Sequence, residues 1–286
     1  MVTLSTGALD PFARFTRYNS PYPAHDAGTA VDLYPDGDGA PSPVAGEVVR
    51  TRTVACPSRP YAADHDHLIV VDTGEHLARI LHVYPAVEPG EAVSVGDHLG
   101  DLVRSGYFAP WVDDHVHLGF RDPEDDPVRA TGSLPLSLDV PLEPVPWDGT
   151  GRVVEVGRTY AVLDAPTHPD PGDVYAGIAD DSGAFVLDGG MPHYDWGGRL
   201  DPGPADRGDG PADEEAESAT PIEFLGETVG IAEREPVRWT DHSVVVDGDP
   251  VTGLSFFLGR DALYAKIVEP GHAFAVGDRL TVTVDA

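Results

Sequence analysis

Apolar and polar positions alternate, or valines cluster, in short runs spread along the whole chain. They are Val44 to Thr53, His67 to Asp72, Ala78 to Tyr84, His115 to Phe120, Arg152 to Val156, Tyr160 to Leu163, Ser243 to Asp247, Leu263 to Val268 and Arg279 to Val284. A period of two places every second side chain on one face, which is the signature of a half-buried strand. Glycines (32) and prolines (28) end each run after a few residues, and no amphipathic helix longer than two turns can be read between them. Many short strands with turn signals between them predict an all-β architecture, an antiparallel sheet, sandwich or barrel.

Two segments nearly repeat. Val87-Glu88-Pro89-Gly90 followed by Val95-Gly96-Asp97 recurs as Val268-Glu269-Pro270-Gly271 followed by Val276-Gly277-Asp278, at the same spacing. Gly46-Glu47 is echoed by Gly226-Glu227, and Asp66-His67 before a valine-rich run by Asp241-His242 before another. The order suggests two related β halves; the alternative is that Pro-Gly and Gly-Asp turns simply recur in β proteins. The first reading predicts domains over residues 1–122 and 147–286, joined by a Pro- and Asp-rich linker over 123–146. An acidic Pro/Gly-containing loop is expected near 201–219.

Charge narrows the function classes. Asp and Glu number 49 against 18 Lys and Arg, for a formal net charge of −31, and Lys266 is the only lysine. Carboxylates dispersed over a globular chain with 41% hydrophobic residues fit a halophilic source, where salt screens their repulsion. The same charge disfavours a nucleic-acid or anionic-membrane partner, since phosphate demands a basic face, and favours a bound divalent cation. With Cys56 alone no intrachain disulfide can form. The first residues lack the basic and apolar regions of a leader, and no run approaches the length of a membrane span. The expectation is a cytoplasmic protein.

The candidate chemistry lies in three histidine-bearing segments: His25 to Asp32, Ile80-Leu81-His82, and His115-Val116-His117-Leu118. Two imidazoles and a carboxylate bind zinc and leave a fourth position open for water, and zinc brings water's ionisation near neutral pH, as amide hydrolysis requires. On a strand, His115 and His117 face the same side. A second H-x-H, His65-Asp66-His67, is read as a solvated loop in an aspartate-rich stretch, and Arg121 as a surface ion-pair partner.

In chain order, His25…Asp32, a Gly46-centred strand, a valine-rich strand, Leu81-His82, Val95-Gly96-Asp97-His98-Leu99-Gly100 and His115-Val116-His117 resemble the lysostaphin-type, murein-endopeptidase family of zinc metallopeptidases over about residues 20–122. The resemblance implies the lysostaphin-type peptidase fold, followed here by a second related or degenerate β domain without metal. It implies one zinc ion held by His25, Asp32 and His117, with His115 as general base or steadying group for the attacking water and His82 stabilising the oxyanion. The implied substrate is peptide-type, short peptides or glycine-containing cross-links. In that family the first two ligands read His-x-x-x-Asp, whereas His25 and Asp32 are seven apart; the extra residues loop out, or Asp26 takes the place of Asp32. A catalytically inactive scaffold that binds a partner is the alternative function. A carrier-type domain, suggested by the V-x-x-G-D turns, needs a lysine at a hairpin tip, and Lys266 lies in a β-type run instead. The second half carries one further His…Gly…Asp-like stretch, Pro192 to Asp201, whose Tyr194 and Trp196, with Trp239, are expected to serve packing.

Overall fold

A computed structural model describes residues 1–202 and 219–285. The described residues are nearly all β: among them two single-turn helices, Thr6–Leu9 and Pro23–Asp26, accompany the strands. No helix among the described residues is long and apolar enough to cross a membrane. The acidic loop expected near 201–219 lies, for residues 203–218, outside the described residues.

Two compact units divide the chain. One comprises Met1–Phe15 and Ala27–Asp139, the other Thr16–Asp26 and Val140–Ala286. Residues 123–146, expected as a linker, contain two strands, Leu136–Asp139 in the first unit and Leu142–Val145 in the second. Val2–Ser5 pairs in parallel with Leu136–Asp139, and Leu142–Val145 pairs in parallel with Tyr175–Ile178. Pro144 conceals the strand Leu142–Val145 in the sequence, and it is tolerated because this strand lies at a sheet edge where a missing N–H donor costs little.

The first unit is built on an antiparallel run of strands in the order Ala30–Tyr34, Val116–Arg121, Leu77–Leu81, His65–Asp72, Gly46–Ala55, Ala92–Val93. Register explains the alternation of the sequence. Val116 lies opposite Leu33, Leu118 opposite both Val31 and Ile80, and Ile80 opposite Ile69; all six are fully buried and form the core face. The intervening residues share the other face: Asp32, His117, Leu81 and Leu68 stand in one cross-strand row, and Ala30, Gly119 and Arg79 in the next. A smaller antiparallel sheet joins Gly39–Pro41, His98–Leu102 and Val83–Pro85. Arg121 is fully buried and donates to the Arg129 carbonyl at 3.0 Å, so it anchors the following segment instead of forming a surface ion pair.

The second unit carries a twelve-stranded sheet. Its glycine-rich hairpin, Val186–Met191 paired with Trp196–Leu200, has Val186 as its one β-branched residue and so carries little of what marks a strand in sequence. The missing side chains make room for aromatics. A Cβ on Gly197 would lie 2.0 Å from the Trp239 ring, and one on Gly198 would lie 2.1 Å from the Tyr18 ring. Tyr194 and Trp239 are buried.

The repeated turns carry the same hydrogen bonds in each unit. Asp97 N donates to Ser94 O at 3.1 Å and Ser94 N to Asp97 Oδ2 at 2.7 Å; Asp278 N donates to Ala275 O at 3.1 Å and Ala275 N to Asp278 Oδ2 at 2.8 Å. The Asp-His echo diverges. Ser243–Val246 pairs with Asp249–Val251 and Arg279–Asp285, whereas His65–Asp72 pairs with Gly46–Ala55 and Leu77–Leu81.

Candidate metal centre

Adjacent strands bring the second and third of the sequence-derived ligands together. Asp32 and His117 are direct partners in the antiparallel ladder, so their side chains leave the sheet side by side. His117 Nδ1 lies 2.9 Å from Asp32 Oδ1, and His115 Nε2, two residues earlier on the same face, lies 3.4 Å from it. His25 sits in the single-turn helix Pro23–Asp26. Its Nδ1 donates to the Arg17 carbonyl at 2.6 Å, so the neutral ring carries its lone pair on Nε2. Arg17 is itself held, its amide donating to Asp188 Oδ2 and its guanidinium to Glu235 Oε2, each at 2.6 Å.

Asp32 and His117 belong to the first unit and His25 to the second. His25 and Asp32 are buried and His117 is part-buried. The long His25–Asp32 spacing is absorbed between helix and strand: Gly28 turns the chain at φ 62°, and the strand begins at Ala30. Two imidazoles and one carboxylate, each at least part-buried, are the donor types that hold a zinc ion with one coordination position left open.

His82 and His115 stand beside this group. The His82 ring centroid is 5.3 Å from that of His115 and 5.7 Å from that of His117. His82 occupies the left-handed region at φ 69°, which costs a non-glycine residue about 1 kcal/mol or more. Its neighbours explain the twist, since Leu81 belongs to the large sheet and Val83 to the small one. The turn between sheets carries the imidazole to the site. Phe108 stacks on His115 at 4.3 Å and meets His82 edge-on at 4.7 Å.

The loop bearing Phe108 is braced by Arg104. Its guanidinium donates to the carbonyls of Ala109, Pro110 and Val112 and pairs with Asp114. Gly106 passes so close to the neighbouring segment that a Cβ would lie 1.7 Å from Pro57 O.

Asp66 was not legible as a site residue. The stretch expected as a solvated loop is the start of the strand His65–Asp72, and Asp66 is fully buried between an exposed His65 and a part-buried His67. Its Oδ2 accepts from His82 Nδ1 and from Ser105 Oγ, both at 2.6 Å, and its Oδ1 accepts from the His67 amide at 2.7 Å. The signal in the sequence was the alternation Asp66, Leu68, Val70, which puts the carboxylate on the face of Leu68 and Leu81.

Burial and partners set the charges. Burial pushes the Asp66 carboxyl up, but His82 and the hydroxyl and amide donors outweigh it and hold the group at about 2. His82 is shifted down, because burial outweighs the attraction of Asp66. His115 is shifted up: burial alone would lower it, and Asp32 with the Asp113 carbonyl more than compensates.

No curated protein matches the chain. Residues 3–138 match the family model described as the N-terminal domain of a domain of unknown function (DUF8155), and residues 143–285 match the model of its C-terminal domain. The two matches follow one another along nearly the whole chain and meet where the two compact units divide; the chain belongs to the DUF8155 family.

Proposed function

We propose that this protein is a zinc-dependent hydrolase of peptide bonds, similar in its first unit to the lysostaphin-type metallopeptidases. The observation that carries the reading is the Asp32–His117 pair, 2.9 Å apart on adjacent strands, with His115 and His82 beside it. When bound there, zinc supplies Lewis-acid polarisation of a carbonyl and easier ionisation of water at neutral pH. His25 is oriented by the Arg17 carbonyl, and Asp32 contributes the negative charge that a divalent cation requires. Two histidines outside the donor set, His115 and His82, stand within one ring's reach of it to move a proton and to face developing negative charge. Phe108 packs against both and excludes water from that side. A peptide-type substrate, a cytoplasmic location and a high-salt environment belong to the same reading.

The test is elemental analysis of protein purified in molar KCl, wild type beside His117→Ala, followed by hydrolysis of a quenched fluorescent pentaglycine peptide. One zinc per chain, lost in the variant, with cleavage by the wild type alone, is the expected result. Absence of metal from both, even after incubation with zinc, sinks the hydrolase reading and leaves a binding scaffold. Zinc without cleavage of any peptide in a glycine-containing panel sinks the peptidase part.

A further inference from the structure

The buried carboxylate of Asp66 has no part in the three-ligand set, yet its contacts decide the state of the histidine beside that set. The His67 amide can only donate, and an ionised carboxylate can only accept. With Oδ1 on that amide and Oδ2 shared by Ser105 Oγ and His82 Nδ1, the shared hydrogen on the histidine side sits on Nδ1. Neutral His82 then carries its lone pair on Nε2, which makes no hydrogen bond among the described residues. The backbone agrees with this arrangement. His82 is held in the left-handed region between two sheets, its amide donating to His67 O at 3.2 Å and its carbonyl accepting from Val103 N at 2.8 Å.

Resting on the metal-site reading above, we propose that Asp66 is a positioning residue that locks His82 in the Nδ1–H tautomer, so that His82 Nε2 is the proton acceptor of the hydrolysis. A proton of the attacking water passes to Nε2 as the water oxygen bonds to the carbonyl carbon. The same proton passes to the departing nitrogen as the C–N bond breaks, so the histidine ends as it began. Asp66 binds no proton at any stage. The resemblance gave the proton to His115 and the oxyanion to His82; the Asp66 contact reverses them. It leaves His115, between Asp32 and the Asp113 carbonyl, to face the developing negative charge.

Asp66→Asn discriminates. The His67 amide still needs an oxygen, so the introduced amide nitrogen faces His82 Nδ1 and drives the ring hydrogen to Nε2. Long-range 1H–15N correlation of the His82 ring, assigned by His82→Gln, reads the tautomer directly at neutral pH. The expected result is Nδ1–H in the wild type and Nε2–H in the variant. Zinc content should be unchanged, and pentaglycine hydrolysis should show a kcat about 10²–10⁴-fold lower at unchanged KM. Ser105→Ala, which removes only a donor to the same oxygen, should keep the wild-type tautomer.

An Nε2–H wild-type ring overturns the proposal whether or not the variant folds. So does an Nδ1–H ring in a folded Asp66→Asn protein, or a flipped tautomer with unchanged kcat. Failure of the metal-site reading looks different: the wild type then holds no zinc and cuts no peptide, and the tautomer measurement still decides what Asp66 does.

Discussion

Replacing Asp188 with Asn should flatten the pH dependence of the second unit's stability. Asp188 lies in the strand Val186–Met191, fully buried, and its Oδ2 takes the Arg17 amide at 2.6 Å. Burial raises its carboxyl from the ordinary 3.8 to about 7; the amides of Arg17 and Tyr18, the Thr16 hydroxyl and the Arg17 charge offset only part of that. A folded-state pKa above the unfolded one means that the folded chain holds its proton longer. The group's contribution to stability is therefore complete below pH 3.8 and is lost as pH rises through 7. The gap between 3.8 and about 7 is worth about 4 kcal/mol in all, of which about 3 kcal/mol falls between pH 5 and 9. Asn keeps one oxygen for the Arg17 amide and has no charge to lose.

The assay is denaturant unfolding in molar KCl followed by tryptophan fluorescence. Trp147, Trp196 and Trp239 report on the second unit and Trp111 on the first, so the two transitions are fitted separately. Between pH 5 and 9 the wild-type second unit should lose about 3 kcal/mol more stability than Asp188→Asn. Parallel pH profiles for the two proteins would refute the reasoning, because they would mean that this carboxylate is not ionising in a buried site.

Zinc at a hundredfold excess over its Kd should stabilise the wild type by about 2.7 kcal/mol, visible as a higher melting temperature, and should leave Asp32→Asn unmoved. Gly106→Ala should destabilise the first unit by about 1–3 kcal/mol, since its Cβ would meet the Pro57 carbonyl at 1.7 Å. It should also lower pentaglycine hydrolysis by shifting the loop that holds Phe108 on His115; an unchanged melting curve in the variant argues against that brace. Raising KCl from 0.1 to 2 M should raise the melting temperature, because a net charge of −31 repels itself less when screened; a flat or falling curve contradicts this.

Strand class was legible wherever side-chain chemistry marked it. The runs at His67 to Asp72, Ala78 to Tyr84 and His115 to Phe120 alternate because one face meets the core, and this local pattern needs no knowledge of the partner strand. Strands interrupted by proline or by paired glycines were not legible. Leu142–Val145 tolerates Pro144 at a sheet edge, and the Val186–Met191 hairpin trades side chains for room beneath Tyr18 and Trp239. In each case the compensation comes from residues distant in sequence.

The same division holds at the candidate site. Residue types and order alone single out His25, Asp32, His82, His115 and His117, because imidazoles are few and their chemistry is their own. Only the tertiary structure decided that Asp32 and His117 are ladder partners, that Gly28 turns the chain between His25 and Asp32, and that Asp66 and Ser105 lie buried against His82. Register, loop closure and burial arise from pairing between segments far apart in the chain, and a local pattern of residues does not encode which distant segment it will meet.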